Sequence, residues 1–372
     1  MRSALLLAFV VTCSIWSVAS ATEPPNIIVI MVDDMGFSDI SCYGGEIPTP
    51  NLDALAENGL KFSQFYDTSR CCPTRASLLT GLYAHQAGMD LKDPRLEPPW
   101  YGTHLWTTFG LRFAEEAGQA DKPFFWYLAH VAPHFPCMAP EATIAKYRGK
   151  YMEGWDVLRE KRYARQIVSG LNVFVGECWA HLSKTPFRKY KHYNHEGDTA
   201  TPLFAHWPAG INKTADQAEH GAEQETGAKS NWVRTPTHVI DIMATCVDLG
   251  GARYLKEYKG HKITPMQGRS MRPLLASGGT NTGGLEERVL FWEHEGNAAI
   301  RIGQRKGVRL GDMCDDRTEQ KNLAVTERQE IIQMKADWIE WAASAQVYPK
   351  KAKANAGKTQ TGKTKAAKAQ KQ

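Results

Sequence analysis

The run Asn26–Val32 (NIIVIMV) most constrains the fold, because it is continuously apolar, rich in β-branched residues, and ends at two acids, Asp33 and Asp34. Such a run is typical of a central parallel strand buried on both faces. In open α/β sheets, ligands bind outside the carboxyl ends of the strands. Asp33 and Asp34 are therefore candidate site residues, although isolated aspartates at such positions more often cap a helix or a turn.

Strands and helices alternate along the next two hundred residues. We predict strands at Pro123–Ala129 and Thr201–Trp207, and a helix at Thr237–Leu249 that ends at Gly250 and turns Val239, Ile242, Met243, Cys246 and Leu249 inward. Together these elements predict an α/β fold with a doubly wound, mostly parallel sheet. Two histidines, His130 and His134, are expected just past the carboxyl end of the second strand, although a lone histidine more often belongs to a core or a loop.

The sequence also predicts a division of the chain. Residues 1–21 combine Arg2, an apolar stretch and a terminal Ala-Ser-Ala, which is typical of a secretory signal peptide and indicates a periplasmic or secreted protein without a transmembrane span. A catalytic domain at 22–250 is followed by a smaller α+β subdomain at 251–349, with a strand at Arg288–Glu293 and a helix at Val325–Ala343. At 372 residues and 42% hydrophobic content, both parts can bury a core.

Residues 350–372 contain eight lysines and no acid, so we expect a disordered tail. Without those eight lysines, the formal net charge of +5 becomes −3. A mildly acidic folded part gives no reason to expect nucleic-acid binding, whereas the tail leaves open contact with a polyanion.

Residues 71–81 (CCPTRASLLTG) place two cysteines and an arginine at the predicted start of a helix. A phosphatase-type thiolate needs five residues between Cys and Arg, whereas three residues separate Cys71 from Arg75. A disulfide to a distant cysteine remains open, and a helix amino terminus would lower the pKa of a nearby thiol. The sequence contains no C-x-x-C pair of the kind that indicates a zinc site.

This segment resembles the C-x-P-x-R signature of the type I sulfatases, which have an alkaline-phosphatase-like fold. The resemblance implies that a formylglycine-generating enzyme oxidises Cys71 to formylglycine. The hydrated aldehyde offers one hydroxyl that attacks sulfur and a second whose deprotonation expels sulfate. Arg75, one helical turn along, is then expected to support the deprotonated hydroxyl.

Other segments carry the same resemblance. Pro25–Gly36 is similar to the opening strand of that family, and this implies that Asp33 and Asp34 bind one calcium ion together with the modified Cys71. Ala132-Pro133-His134 resembles the segment whose histidine contacts the sulfate ester, and Thr185–Lys191 resembles the segment whose lysine holds a sulfate oxygen. The implied catalytic residues are therefore Cys71, Arg75, His134 and Lys191, of which His134 and Lys191 also bind substrate.

Two segments of the family pattern are absent. Nothing in residues 90–108 matches the G-K-x-H segment, and the chain contains no Asp-Asn dipeptide, so the S-D-N-G segment that completes the metal site is missing. The expected function is hydrolysis of a sulfate monoester on a small molecule or a glycan. Two alternatives stay open: hydrolysis of phosphate or phosphonate esters on the same scaffold, and binding of sulfated glycans without turnover.

Overall fold

The computed structural model describes ten parts of the chain. These are residues 24–87, 102–120, 122–133, 139–168, 182–189, 193–211, 231–303, 305–308, 319 and 326–347. The predicted signal peptide and the lysine-rich tail lie outside the described residues, and so do His134 and Lys191. The boundary predicted at residue 250 stays a prediction.

The amino-terminal half of the described chain alternates strands with helices. Its elements are β1 (Ile27–Asp33), a 3₁₀ turn (Ser41–Tyr43), α1 (Pro50–Glu57), β2 (Leu60–Phe62), β3 (Phe65–Tyr66), α2 (Cys71–Thr80), α3 (Gly102–Gly118), β4 (Phe125–Pro133), α4 (Glu141–Ala145), α5 (Trp155–Val168), α6 (Glu196–Thr199) and β5 (Leu203–Ala205).

The remaining elements include a three-stranded hairpin sheet and a long terminal helix. They are β6 (Trp232–Val233), β7 (Thr237–His238), α7 (Ile240–Leu249), β8 (Glu257–Tyr258), β9 (His261–Lys262), α8 (Arg272–Ala276), β10 (Val289–His294), β11 (Asn297–Ile302), β12 (Arg305–Val308) and α9 (Arg328–Ser344). The strand predicted at 288–293 and the helix predicted at 325–343 correspond to β10 and α9.

Parallel pairing dominates the amino-terminal strands. β1 pairs with β4, β2 with β6, and β3 with β7, all in parallel, while β5 joins β2 in antiparallel orientation. In the carboxyl-terminal part, β10, β11 and β12 form an antiparallel sheet. This mixture of parallel strands and helices is the α/β architecture that the sequence predicts. Among the helices of the described parts, none combines the length and apolarity needed to cross a membrane.

The first predicted strand is correct in position but wrong in burial. β1 was expected to be buried on both faces, whereas the side chains of Ile28 and Ile30 are 49% and 56% exposed. In the described residues β1 pairs only with β4. Helix α3 packs against β4, where Gly110 lies close to the ring of Trp126. One face of β1 therefore stays open while Val29 and Met31 pack against the core on the other.

Two further expectations need correction. β4 continues through Pro133, so His130 lies within the strand and is buried, instead of following the strand. In the predicted helix 237–249, the first two residues form β7. Of the predicted inward set, Val239 is buried and Ile242 packs against the core, whereas Met243, Cys246 and Leu249 are only partly buried. Ile240, Asp241, Ala244 and Thr245, which were not predicted to face inward, are buried. The physical reason is that buried Asp241 accepts two hydrogen bonds from buried Arg288, which holds that polar face against β10.

The carboxyl-terminal sheet packs on the amino-terminal part through aromatic side chains. Phe291 and Trp341 stack at 4.8 Å between ring centroids, which joins β10 to α9. Trp292 forms an edge contact with Tyr66 of β3 and donates its Nε1–H to the carbonyl oxygen of Asp67 at 2.8 Å. These contacts place the β10–β12 sheet next to the segment that leads into α2.

A buried lysine completes this junction. The Lys306 Nζ on β12 lies 3.0 Å from Glu196 Oε1 and 3.1 Å from Thr199 Oγ1, and both charged side chains have no exposed surface. Tyr66 donates its hydroxyl to the second oxygen of Glu196 at 3.0 Å. Buried charges are tolerated only when paired and hydrogen-bonded, as they are here. The network thus fixes α6 against the carboxyl-terminal sheet.

We expect Lys306→Met to lower the free energy of unfolding by about 3–5 kcal/mol, because it leaves the Glu196 carboxylate buried without its cation. Urea denaturation measures this loss. Lys335→Met, which changes an exposed lysine on α9, is the control and should change stability by less than about 0.5 kcal/mol. Equal effects of the two substitutions would show that the buried pair does not stabilise the fold.

Candidate functional site

The candidate site is built around the first residue of α2. Arg70 precedes the helix in extended conformation, Cys71 begins it, and Gly81 ends it with a positive φ of 68°. Thr74 fixes the approach to the helix, because its hydroxyl accepts a hydrogen bond from the Thr68 amide at 3.2 Å and donates one to the Thr68 carbonyl at 3.0 Å. The helix dipole gives this end of α2 a positive potential.

Arg75 ties α2 to two strands. Its Nη2 donates to Asp33 Oδ2 at 3.1 Å and to the backbone carbonyl of His130 at 2.8 Å. Burial raises the pKa of the Tyr127 hydroxyl on β4, and the neighbouring Arg75 guanidinium, which is also its hydrogen-bond partner, opposes that shift. One guanidinium therefore connects the end of β1, β4 and the signature helix.

The two predicted acids lie where β1 ends. Asp33 sits opposite Pro133 of β4 after an irregularity in the pairing, and Asp34 adopts a positive φ of 60°. The following loop is tight, because a Cβ added at Gly36 would meet the Ser183 carbonyl oxygen at 2.1 Å. This close approach fixes the turn that carries Asp34 away from the strand.

Asp67 is an acidic residue of the site that sequence reasoning missed. Its Oδ1 is sealed from solvent and has no hydrogen-bond partner among the described residues. Burial raises the pKa of Asp67 well above its usual range; Lys184 opposes this shift, and Asp198 and Asp33 add to it. The sequence feature that could have indicated Asp67 is its position four residues before Cys71, because acids with perturbed pKa values cluster at functional sites.

Asn194 is a second missed residue, and it supports the lead-in to Cys71. It accepts a hydrogen bond from the Ser69 hydroxyl and donates its Nδ2–H to the Asn297 carbonyl at 2.7 Å. Asn194 is buried, so it links the loop before α2 to the β10–β11 hairpin through the interior. No local pattern signals this role, because the link joins residues 125 positions apart.

The structure brings together some of the predicted site residues. Asp33 contacts Arg75 directly, Arg75 shares α2 with Cys71, and Asp34 follows Asp33. Cys71 is a half-buried free thiol, and Cys72 is also half-buried. Within the described parts of the chain, no three acidic, histidine or cysteine side chains are placed to hold a metal ion.

Comparison with known proteins finds sulfatases that match part of this chain. The sulfatase family model matches residues 25–104, which include β1, both aspartates and all of α2. The arylsulfatase of Klebsiella aerogenes is 58% identical over 184 residues, covering 41% of this chain and 40% of that protein. Human arylsulfatase A is 49% identical over 72 residues, covering 19% of this chain and 14% of that protein. These matches support the sulfatase family, to which the sequence shows its resemblance.

Solved structures agree on the fold at low sequence identity. Ps i-CgsB in complex with k-i-k-neocarrahexaose has a TM-score of 0.63 at 19% identity, covering 87% of this chain and 94% of that one. BT4656 in complex with its substrate D-glucosamine-2-N,6-O-disulfate has a TM-score of 0.58 at 16% identity, covering 88% and 99%. The PsFucS1 sulfatase from Pseudoalteromonas sp. also has 0.58, at 17% identity, covering 88% and 91%.

These neighbours show that the chain has the alkaline-phosphatase-like fold. The chain spans less than half the length of the curated relatives it matches. Most of each relative's length therefore has no counterpart in the matched part of this chain.

We expect Asp67→Asn to stabilise the chelator-treated protein at pH 7, because it removes a buried charge and keeps the side-chain shape. The pKa of Asp67 is higher in the folded than in the unfolded chain, so its protonation favours folding at low pH. That contribution is lost as the pH rises through the folded pKa. The gain in melting temperature from Asp67→Asn should therefore shrink towards pH 4.

Glu340→Gln, at an exposed position of α9, serves as the matched control and should leave the melting temperature nearly unchanged at both pH values. A melting temperature of Asp67→Asn at or below that of the unsubstituted protein at pH 7 would contradict the buried-charge interpretation.

Proposed function

We propose that this protein hydrolyses a sulfate monoester at the amino-terminal end of α2. The main support for the proposal is the geometry around Cys71. Cys71 of the signature begins the helix, and Arg75, one turn later, is bonded to Asp33 and to the strand that carries His130. The activity of this chain is stated as a proposal because the chain matches its relatives over less than half of their length.

The positive end of α2 suits an anionic substrate. The helix dipole favours a negatively charged group at this position. Arg75 adds a fixed positive charge within one turn of Cys71, and Asp33 and the His130 carbonyl hold its guanidinium in place. The chain's own residues thus orient an anion next to the side chain at position 71 and stabilise negative charge there.

We propose that a formylglycine-generating enzyme converts Cys71 to formylglycine. A hydrated aldehyde would supply a hydroxyl that attacks sulfur with release of the alcohol, and a second hydroxyl whose deprotonation releases sulfate and restores the aldehyde. The partial exposure of Cys71 at the start of a helix supports its accessibility for modification. His134 and Lys191, which lie outside the described residues, remain the predicted contacts to the ester.

A calcium ion is part of the proposal, but the described residues supply its ligands only in part. Asp33 and Asp34 provide carboxylate oxygens, the ligand type that calcium prefers, at the end of β1. The Asp33 carboxylate also binds Arg75, and the described residues contain no complete group of three ligands. These residues therefore do not form a full calcium site, and the chemistry above does not rely on one.

Substrate class and location extend the proposal. Structural neighbours were solved with a neocarrahexaose and with a disulfated glucosamine, which supports a sulfated glycan as the substrate here. The sequence of residues 1–21 supports a periplasmic or secreted location.

Cys71→Ser should abolish sulfate release, lowering the rate by at least about 1,000-fold, because it removes the thiol that is converted into the nucleophile. The protein is co-expressed with a formylglycine-generating enzyme, and mass spectrometry of the peptide containing both cysteines locates the aldehyde. We expect an aldehyde at residue 71 and an unmodified thiol at residue 72.

Cys72→Ser is the matched control and should keep both the aldehyde and most of the activity. Sulfate and phosphate monoesters of the same alcohol, assayed at equal concentration, separate the sulfatase from a phosphatase on the same scaffold. An active protein with an intact thiol at residue 71 would refute the proposed nucleophile.

Calcium added to chelator-treated protein should raise the melting temperature, because a ligand that binds only the folded state stabilises it, by about 2.7 kcal/mol at 100 times the dissociation constant. Asp34→Asn should weaken this response, whereas Glu287→Gln, which changes an exposed acid, should not. An equal calcium response in the unsubstituted protein and Asp34→Asn would contradict a site at the end of β1, without bearing on the aldehyde.

A further inference from the structure

The turn between β10 and β11 lies beside the candidate site although it comes from the carboxyl-terminal sheet. Glu295 and Gly296 form the turn with φ values of 49° and 82°, and His294 pairs with Asn297 across it. Two positive φ values are typical of the tight two-residue hairpin turn, which holds its side chains in fixed directions. The turn therefore presents Glu295 from a rigid support.

Three contacts attach this hairpin to the residues around α2. Arg70 Nη1 lies 3.4 Å from Glu295 Oε1, His85 Nε2 lies 2.8 Å from Glu293 Oε2, and Asn194 donates to the Asn297 carbonyl at 2.7 Å. Arg70 is the residue before Cys71, so their Cα atoms are about 3.8 Å apart across a trans peptide bond. The hairpin turn is thus attached to the residue that directly precedes position 71.

Two hydrogen bonds hold the Glu293 side chain of this hairpin in place. Glu293 accepts hydrogen bonds from His85 and, at 2.9 Å, from the Gly296 amide. Burial alone would raise the pKa of Glu293, but these two bonds outweigh it and lower the pKa. A well-paired carboxylate of this kind supports the turn and is not free to exchange its partners with a ligand.

The ion pair between Arg70 and Glu295 is more exposed and its contact is longer. The side chains of Arg70 and Glu295 are 39% and 56% exposed, and their contact of 3.4 Å is long for a charged hydrogen bond. An exposed ion pair of this kind contributes little to stability, so a ligand that inserts between the two groups loses little. Arg70 offers only donors and Glu295 only acceptors, and together they match the hydroxyl groups of a sugar, which both donate and accept.

We propose that Arg70 and Glu295 contact the alcohol part of the sulfate ester and favour an alcohol with several hydroxyl groups, a sugar, over a plain aromatic alcohol. This inference rests on the proposed sulfatase function. The sulfate group would lie at the start of α2, and the sugar ring would extend from it across the exposed pair.

The test compares kcat/KM for a panel of monosulfated hexoses with kcat/KM for 4-nitrophenyl sulfate, using sulfate release as the common readout on the matured protein. We expect at least one hexose sulfate to be preferred. Arg70→Ala and Glu295→Ala should each lower the ratio of sugar to aryl kcat/KM by about tenfold or more, because each removes hydrogen bonds to a charged group.

Arg272→Ala is the matched control. It breaks an ion pair of similar exposure, in which Arg272 Nη1 lies 3.2 Å from Asp248 Oδ1 on α7, and it should leave the substrate ratio unchanged. An equal loss with sugar and aryl sulfates in Arg70→Ala, or no preference for any hexose sulfate, would overturn the inference.

A binding measurement separates this inference from the proposed function. Isothermal titration with the same hexose sulfates should show about tenfold weaker binding in Arg70→Ala and Glu295→Ala, and unchanged binding in Arg272→Ala. If the unsubstituted protein releases sulfate from neither substrate class, the proposed function fails, and the titration still decides the inference. Equal affinities in all four proteins would overturn it.

Discussion

The buried Lys306–Glu196 pair is the interaction on which the site depends. It joins β12 to α6 in the interior, and each charge is compensated because Glu196 also accepts a hydrogen bond from Tyr66 while Lys306 reaches Thr199. The segment it holds includes Asn194, which binds Ser69 two residues before Cys71. A charge buried in the carboxyl-terminal sheet therefore sets the position of the lead-in to the signature helix, and the sheet cannot be treated as an independent appendage.

Local patterns were sufficient to predict the elements that carry the chemistry. The apolar run before Asp33 predicts β1, and the segment starting at Cys71 predicts the helix α2, because strand burial and helix initiation depend on neighbouring residues. The family resemblance, carried by the same segments, predicted the sulfatase family and the fold. Both predictions are confirmed.

Long-range pairings could not be predicted in the same way. Lys306 is fully buried, although lysine is almost never buried without a partner, and that partner lies 110 residues away in the sequence. The same limit explains why the burial of Asp241 on α7 was not predicted, since its partner Arg288 lies 47 residues away in the sequence. It also explains the open face of β1, since an apolar strand pattern shows that neighbours are expected but does not supply them.

The charges around Cys71 are arranged in an order that fits its proposed chemistry. Arg75 and the helix amides place positive charge at residue 71, while Asp33 holds the guanidinium from the opposite side. Asp67 is a further acidic group of this cluster, and burial raises its pKa, with Asp198 and Asp33 adding to the shift. An anion at the start of the helix would be attracted by Arg75 and by the helix dipole. The proposed sulfate ester would then place its sulfate group at the start of α2 and the rest of the molecule towards Arg70 and Glu295.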